Sequence, residues 1–274
     1  MKNLGHLILL LVLGTTTYAQ QDLIQQHYGK HSQQTLDLYL PKTFNKKTSV
    51  IVMLHGGAWM LGGKEYTEKT SKDLRDRGFV VVNVDYRYVN DSVHAPELLD
   101  DIENAIGQLQ KLAKQYNFSS KGYHIAGISA GAHLALLYGY KNKSGIKSIS
   151  ALCPPTRFDD RNTKEHLEKT QLTKNVELLA DSKFSDHAVV QDKKFTDVSP
   201  YSHIKNIPTL LVHGDSDKLV PYSNSSFLYG LLQMKKIDSK LLTMKGKDHD
   251  AGMNDPDSEK LVLDEITNWV NSHN

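Results

Sequence analysis

The amino-acid sequence predicts a single α/β domain, with a mainly parallel sheet of about eight strands and helices on both faces. Two observations carry this expectation. Short apolar runs alternate with stretches of helical periodicity along almost the whole chain. Several of those runs are apolar without interruption, as strands covered on both faces must be. The length, 274 residues, fits one such domain, and a chain of this size can bury roughly 73–75% of the surface it exposes unfolded. The lone cysteine, Cys153, excludes an intrachain disulfide and a multi-cysteine zinc site.

In chain order, residues 1–19 read as an export signal. Lys2 is followed by the apolar run Leu7–Leu13 and by small residues ending at Ala19. Seven apolar residues are too few to cross a bilayer, which takes roughly 20. Cleavage after Ala19 and a secreted or periplasmic product are expected, with no stable membrane anchor and the domain occupying residues 20–274. Thr35–Leu40 alternates leucines with polar residues, as a half-exposed strand would. Ser49–Leu54 (SVIVML) and Phe79–Val84 (FVVVNV) read as strands buried on both faces. Tyr123–Ala126, Ile146–Leu152, Thr209–Val212 and Lys240–Met244 complete the predicted sheet. Between them, Glu97–Tyr116, Ala130–Tyr140, Tyr222–Lys236 and Ser258–Ser272 space their apolar residues for one helical face. The polar stretch Pro154–Ile207 is long for a strand connection and is expected to form a lid-like insertion. Cys153 ends an apolar run and reads as a small buried hydrophobe.

Charge is nearly balanced, with 33 Lys+Arg against 31 Asp+Glu. No long basic stripe supports nucleic-acid binding. Apolar residues at 39% and charged residues at 23% are globular values rather than those of a disordered chain. No cofactor signal stands out, and no metal site is expected. The acidic loop Asn254–Asp257 reads as a helix cap before it reads as a calcium loop.

The chemistry concentrates in Gly127-Ile128-Ser129-Ala130-Gly131, a G-x-S-x-G between a predicted strand and a predicted helix. That context is the one a nucleophile elbow needs. A serine hydroxyl requires a base, and the base an orienting carboxylate, in the chain order Ser, acid, His for this motif. Asp215 and Asp217 follow the run LLVHG, and His249 follows the last predicted strand. His55 and His213, at strand ends, and His133, on the elbow helix, are expected to be structural. His55-Gly56-Gly57-Ala58-Trp59 follows SVIVML directly and could bring backbone N–H groups close to a substrate oxygen.

These pieces together resemble the α/β-hydrolase esterases of the hormone-sensitive-lipase-like and acetyl-xylan/feruloyl-esterase group. The matching stretches are LDLYLP at 36–41, HGGAW at 55–59, VVNVDYRY at 81–88, GISAGAHLA at 127–135, HGDSDKLVP at 213–221 and GKDH at 246–249. The resemblance implies an α/β-hydrolase fold with Ser129 as nucleophile, His249 as base and Asp217 as triad acid. Asp217 fills the aspartate before the Val-Pro turn in the family pattern. Gly57, Ala58 and Ala130 are implied as oxyanion donors, with Trp59 beside the substrate. Two departures stand out: Ala58 replaces a frequent third glycine, and Ala132 replaces a frequent second one after the elbow. The implied activity is a serine carboxylic-ester hydrolase acting on a small-molecule or polysaccharide ester, above all acetyl or feruloyl groups. The run Gly131–Leu134 also occurs in kynurenine-formamidase-like enzymes, so an amide hydrolase, either an aryl-formamidase or a small peptidase, is the rival enzyme. A non-catalytic binding protein on the same fold is the rival of another class.

Overall fold

The computed structural model describes residues 21–141, 145–184 and 193–274. The expected signal segment 1–19 lies outside them. In chain order the strands are β1 (Gln21–His27), β2 (Thr35–Leu40), β3 (Val50–Leu54), β4 (Val80–Val84), β5 (Tyr123–Ile128), β6 (Ile146–Leu152), β7 (Thr209–Gly214) and β8 (Ser239–Met244). They form one eight-stranded sheet in the order β1-β2-β4-β3-β5-β6-β7-β8. The first two strands pair antiparallel, as does β2 with β4, and every other pairing is parallel.

The helices are α1 (Glu68–Asp76), α2 (Ala95–Tyr116), α3 (Ala130–Lys141), α4 (Arg161–Lys169), α5 (Thr173–Ala180), α6 (Lys193–Asp197), α7 (Ser223–Met234) and α8 (Pro256–Ser272). Side chains alternate across each strand, so each central strand feeds two cores. On one face Val50, Val52, Ile125 and Ile149 pack with α2, α3 and α7 through Leu98, Ile102, Leu134 and Leu228. On the other, Ile51, Met53, Leu210 and Val212 pack with α1 and α8 through Leu74, Val262, Ile266 and Trp269. The elbow helix α3 is buried from Ala130 to Tyr140, which explains why its sequence is apolar all round rather than amphipathic.

Two expectations are revised. β2 was expected to be half-exposed, yet all six of its residues are buried. It lies between β1 and β4, and its polar positions have internal partners. Asp37 accepts from the Gln25 backbone N–H at 2.8 Å, and the Lys64 ammonium lies 3.5 Å from its carboxylate. The edge strand β1 was not predicted as an element, because QDLIQQH is largely exposed and polar and shows no period-two apolar face. The insertion 154–207 contains α4, α5, α6 and a 3₁₀ turn at Pro200–His203.

Candidate active site

Strand β5 runs into α3 through a turn so sharp that Ser129 adopts a φ of 55°, in the left-handed region. A non-glycine residue pays a strain there that packing must offset. The packing is close: a Cβ at Gly131 would lie 2.3 Å from the carbonyl oxygens of both Leu54 and His55. Only glycine lets the first turn of α3 approach the end of β3 in this way. The Ser129 N–H donates to the Leu152 carbonyl at 2.8 Å, and its own carbonyl accepts from the His133 N–H. The hydroxyl is thereby held at the N-terminus of a buried helix.

Ser129, His249 and Asp217 form one hydrogen-bonded line. The Ser129 hydroxyl donates to His249 Nε2 at 2.8 Å, and His249 Nδ1–H donates to Asp217 Oδ2 at 2.7 Å. The Asp217 side chain is wholly buried, whereas that of His249 is 23% exposed. Burial alone would raise the Asp217 carboxyl. Hydrogen bonds from His213, His249 and the Val220 N–H, with the charge of His249, outweigh it and hold that carboxyl well below the usual carboxylate range.

The other three aspartates brace the two loops. Asp215 Oδ1 accepts from the Gly246 N–H at 2.6 Å, so it ties its loop to the His249 loop. Asp248 Oδ1 accepts from the Lys218 and His249 N–H groups. Asp250 accepts from Gly252 and Asn254. Gly214 is needed for this contact, since a Cβ there would lie 2.2 Å from the Lys247 carbonyl.

The loop after β3 is also strained, with Ala58 at φ 48° and Trp59 at φ 60°. It is fixed by bonds on every side. Met60 and Leu61 N–H groups donate to the Gly57 carbonyl, and the Val89 N–H donates to the Trp59 carbonyl. The Asn175 amide of α5 donates to the Ala58 carbonyl at 3.1 Å. Gly57, Ala58 and Ala130 border the same cavity as Ser129. Trp59 also borders it, but its indole N–H donates to His133 Nδ1 at 3.1 Å, and His133 Nε2–H donates to the Val198 carbonyl. His55 is buried, stacked on Tyr86 at 4.2 Å, and bonded to Gly56. Both His55 and His133 thus hold structure around the loop, and burial lowers the pKa of each, that of His133 to about 4.

The cavity above Ser129 is about 480 Å³, and its lining is mostly apolar. Phe158, Leu167 and Leu172 of the insertion face Leu61, Ile128 and Val220 across it. A cleft of about 240 Å³ that mixes polar and apolar lining, with Arg157, Asn162, Ser223 and Phe227 among its residues, adjoins it. The two share Arg157, Thr163, His166, Pro221 and Asn224. Sequence reasoning missed Asn175, Arg157 and Asn224, which no motif marks.

Among the described residues, one set of metal-type donors converges: Cys153, Asp217 and His249, within 4.8 Å of one another. Two of them already share a hydrogen bond, and burial pushes the Cys153 thiol up, toward its protonated, non-ligating form. Asp255 caps α8 by accepting from the Ser258 N–H. Among the described residues no helix is long and apolar enough to cross a membrane.

The chain matches the BD-FAE family over residues 36–232. It is 26% identical over 275 aligned residues to a probable isoprenylcysteine alpha-carbonyl methylesterase of Oryza sativa subsp. japonica, covering 91% of this chain and 64% of that one. The chain spans 51–64% of the length of the plant methylesterases it matches. A kynurenine formamidase of Salmo salar is 31% identical over 121 residues, 43% of this chain and 38% of that one. Among solved structures, a truncated carbohydrate esterase from gut microbiota superposes with a TM-score of 0.76 at 18% identity, covering 93% of this chain and 98% of that one. The last likeness establishes the α/β-hydrolase fold.

Proposed function

The chain belongs to the BD-FAE family, and on that premise we propose that it is a serine carboxylic-ester hydrolase working through an acyl-enzyme. The observation that carries this reading is the unbroken line from the Ser129 hydroxyl through His249 to Asp217. In the first step His249 Nε2 takes the Ser129 proton as Oγ attacks the ester carbonyl. The oxyanion that forms is met by the backbone N–H groups of Ala130 and of the Gly57–Ala58 loop. His249 then gives its proton to the departing alcohol. In the second step it activates water, which releases the acid from Ser129.

The substrate class we infer is an acetyl or feruloyl ester of plant polysaccharide, or a related small ester. An apolar chamber beside Ser129 suits the acyl group, and the polar side chains of the adjoining cleft, Arg157, Asn162 and Ser223 among them, suit the hydroxyls of an alcohol. The export signal read in residues 1–19 supports a secreted or periplasmic location for such an enzyme. That part of the proposal is tested by cell fractionation and N-terminal sequencing. A mature chain starting at Gln20 in the periplasm or medium supports it, and an uncleaved cytosolic chain refutes it.

A formamidase is the second reading, favoured by the relative that is 31% identical over 121 residues. A hydrolysis panel separates the readings: p-nitrophenyl acetate through decanoate, methyl ferulate, acetylated xylan and N-formylkynurenine. Turnover of acetate and ferulate esters above N-formylkynurenine is expected. The reverse ranking selects the amide hydrolase, and no turnover of any member selects a binding protein.

A further inference from the structure

A second histidine touches the triad acid. His213, the penultimate residue of β7, is fully buried, and its Nε2 lies 3.1 Å from Asp217 Oδ2, the same oxygen that His249 bonds. That Nε2 is also 2.9 Å from the Val220 carbonyl. Both neighbours are acceptors without a hydrogen, so Nε2 must carry the proton. On the far side of the ring, Nδ1 is 2.7 Å from the hydroxyl of Ser225, a fully buried residue in the first turn of α7. The Ser225 hydroxyl can donate to Nδ1 and so select the tautomer that leaves Nε2–H facing Asp217.

We propose that His213 is a positioning residue of the triad, its Nε2–H fixing the Asp217 carboxylate and Ser225 fixing His213 in turn. The proposal rests on the serine-hydrolase reading for its kinetic part only. Asp217 Oδ1 accepts from the Leu219 and Val220 N–H groups, both at 2.9 Å. Oδ2 accepts from His249 and His213. A carboxylate offers about four acceptor sites, and here two backbone N–H groups and two histidine rings supply four donors, which hold the group against turning about its own axis. Removing the His213 donor leaves His249, the ring that Asp217 has to aim, as the one histidine donor to Oδ2. The titratable neighbours are few. Asp217 comes from the same loop. Tyr222 presents its ring edge at 5.8 Å with its hydroxyl turned to Thr243 of β8. Cys153 lies beside Asp217 from the end of β6, and His249 lies beyond it.

A structural histidine and a positioning histidine respond differently to shape-matched replacements. In His213→Gln the amide nitrogen reaches about as far as Nε2, whereas in His213→Asn it falls short of Asp217. On p-nitrophenyl acetate the Asn variant should lose kcat by roughly 10–100-fold with KM little changed, the cost of a base misplaced by about 1 Å. The Gln variant should recover to within about fivefold of wild type, because one neutral donor is restored. Ser225→Ala should fall between wild type and the Gln variant. With one donor gone, charge concentrates toward His249, and the acid limb of the kcat/KM profile should move up by about 0.5 pH unit in the Asn variant. Equal activities and equal profiles for folded Asn and Gln variants would overturn the proposal. Long-range ¹H–¹⁵N NMR of the unmodified protein decides the same point without catalysis. Nε2–H with a bare Nδ1 on His213 supports it, and the Nδ1–H tautomer overturns it. A wild-type protein that hydrolyses no ester would remove the proposed function, while the NMR result would still decide the bond to Asp217.

Discussion

The floor of the cavity and its far wall are built by different means. The floor comes from loops at the carboxyl ends of β3, β5, β7 and β8. There the backbone approaches other backbone so closely that glycine is required at Gly131 and Gly214, and Ser129, Ala58 and Trp59 are held at positive φ. The wall comes from α4 and α5, whose buried apolar residues are few, Leu167, Val176 and Leu179 chief among them. Polar tethers hold it to the floor. Asn175 reaches the Ala58 carbonyl, His166 the Leu219 carbonyl, and the ring of His94 at the start of α2 the Leu178 carbonyl. The floor is over-determined by packing and can bear strain. The wall is joined to the floor largely through these few polar tethers. On the proposed function, chemistry belongs to the first region and substrate fit to the second.

The sharpest way to break the comparison is on the floor. Ser129→Ala should lower kcat on an activated ester by roughly 10⁴ or more while leaving the circular dichroism spectrum unchanged, since triad members act as a unit. A variant retaining a tenth of wild-type activity would end the nucleophile assignment. Close behind it, Asp217→Asn should cost roughly 10⁴ in kcat by disturbing the tautomer and orientation of His249. Asp215→Asn, Asp248→Asn and Asp250→Asn should each cost about tenfold or less, because each braces a loop rather than the base.

Stability gives the next effect. Gly131→Ala should destabilise the fold by roughly 3 kcal/mol or more, read as a fall in Tm, because the new Cβ meets two carbonyl oxygens that cannot retreat. A Tm within a degree of wild type would mean that β3 and α3 have more slack than their contact implies. The Asp217 pH dependence has a definite sign. Its carboxyl is depressed in the folded chain, so its stabilisation is present above the ordinary carboxylate pKa and is lost as pH falls through the folded value. The stability gap between wild type and Asp217→Asn should therefore be widest at neutral pH and begin to narrow once pH falls below the ordinary carboxylate pKa, which denaturant titrations would read as a smaller gap at pH 3 than at pH 7.

The wall should give the smallest effects and the most selective ones. Replacing part of Asp159–Asp197 with a homologous segment should reorder substrates by about tenfold, while p-nitrophenyl acetate stays within a few-fold of wild type. A parallel fall on every substrate would mean that the wall is part of the catalytic frame. Asn175→Ala tests the seam between the regions. It should lower kcat on all esters by only a few-fold, since one neutral hydrogen bond to a strained loop is lost.

Much of the floor was legible in the residue order. The elbow announces itself because a strand, a sharp turn and a buried helix occupy consecutive residues, and His249 is the only histidine between the acid loop and α8. Asp217 was separable from Asp215 through resemblance to a family and through its place at the turn into Val220-Pro221. In the structure the difference is geometric: Asp217 turns inward to His249, and Asp215 turns sideways to Gly246. His213 stands four residues before Asp217, a spacing that could have drawn notice. Nothing in that spacing told that both histidines would meet one oxygen. Asn175 could not be found at all, because it touches a residue 117 positions away.

The sequence by itself determined seven of the strands and the four longest helices, their alternation and the residue types at the strand ends, because hydrophobic periodicity and turn chemistry are written over a few neighbouring residues. Only the tertiary structure decided which carboxylate faces the base, why β2 is buried on both faces, and where α4 and α5 lie over Ser129. Those outcomes depend on contacts between segments far apart in the chain, whose geometry is set by how whole layers pack rather than by any local pattern.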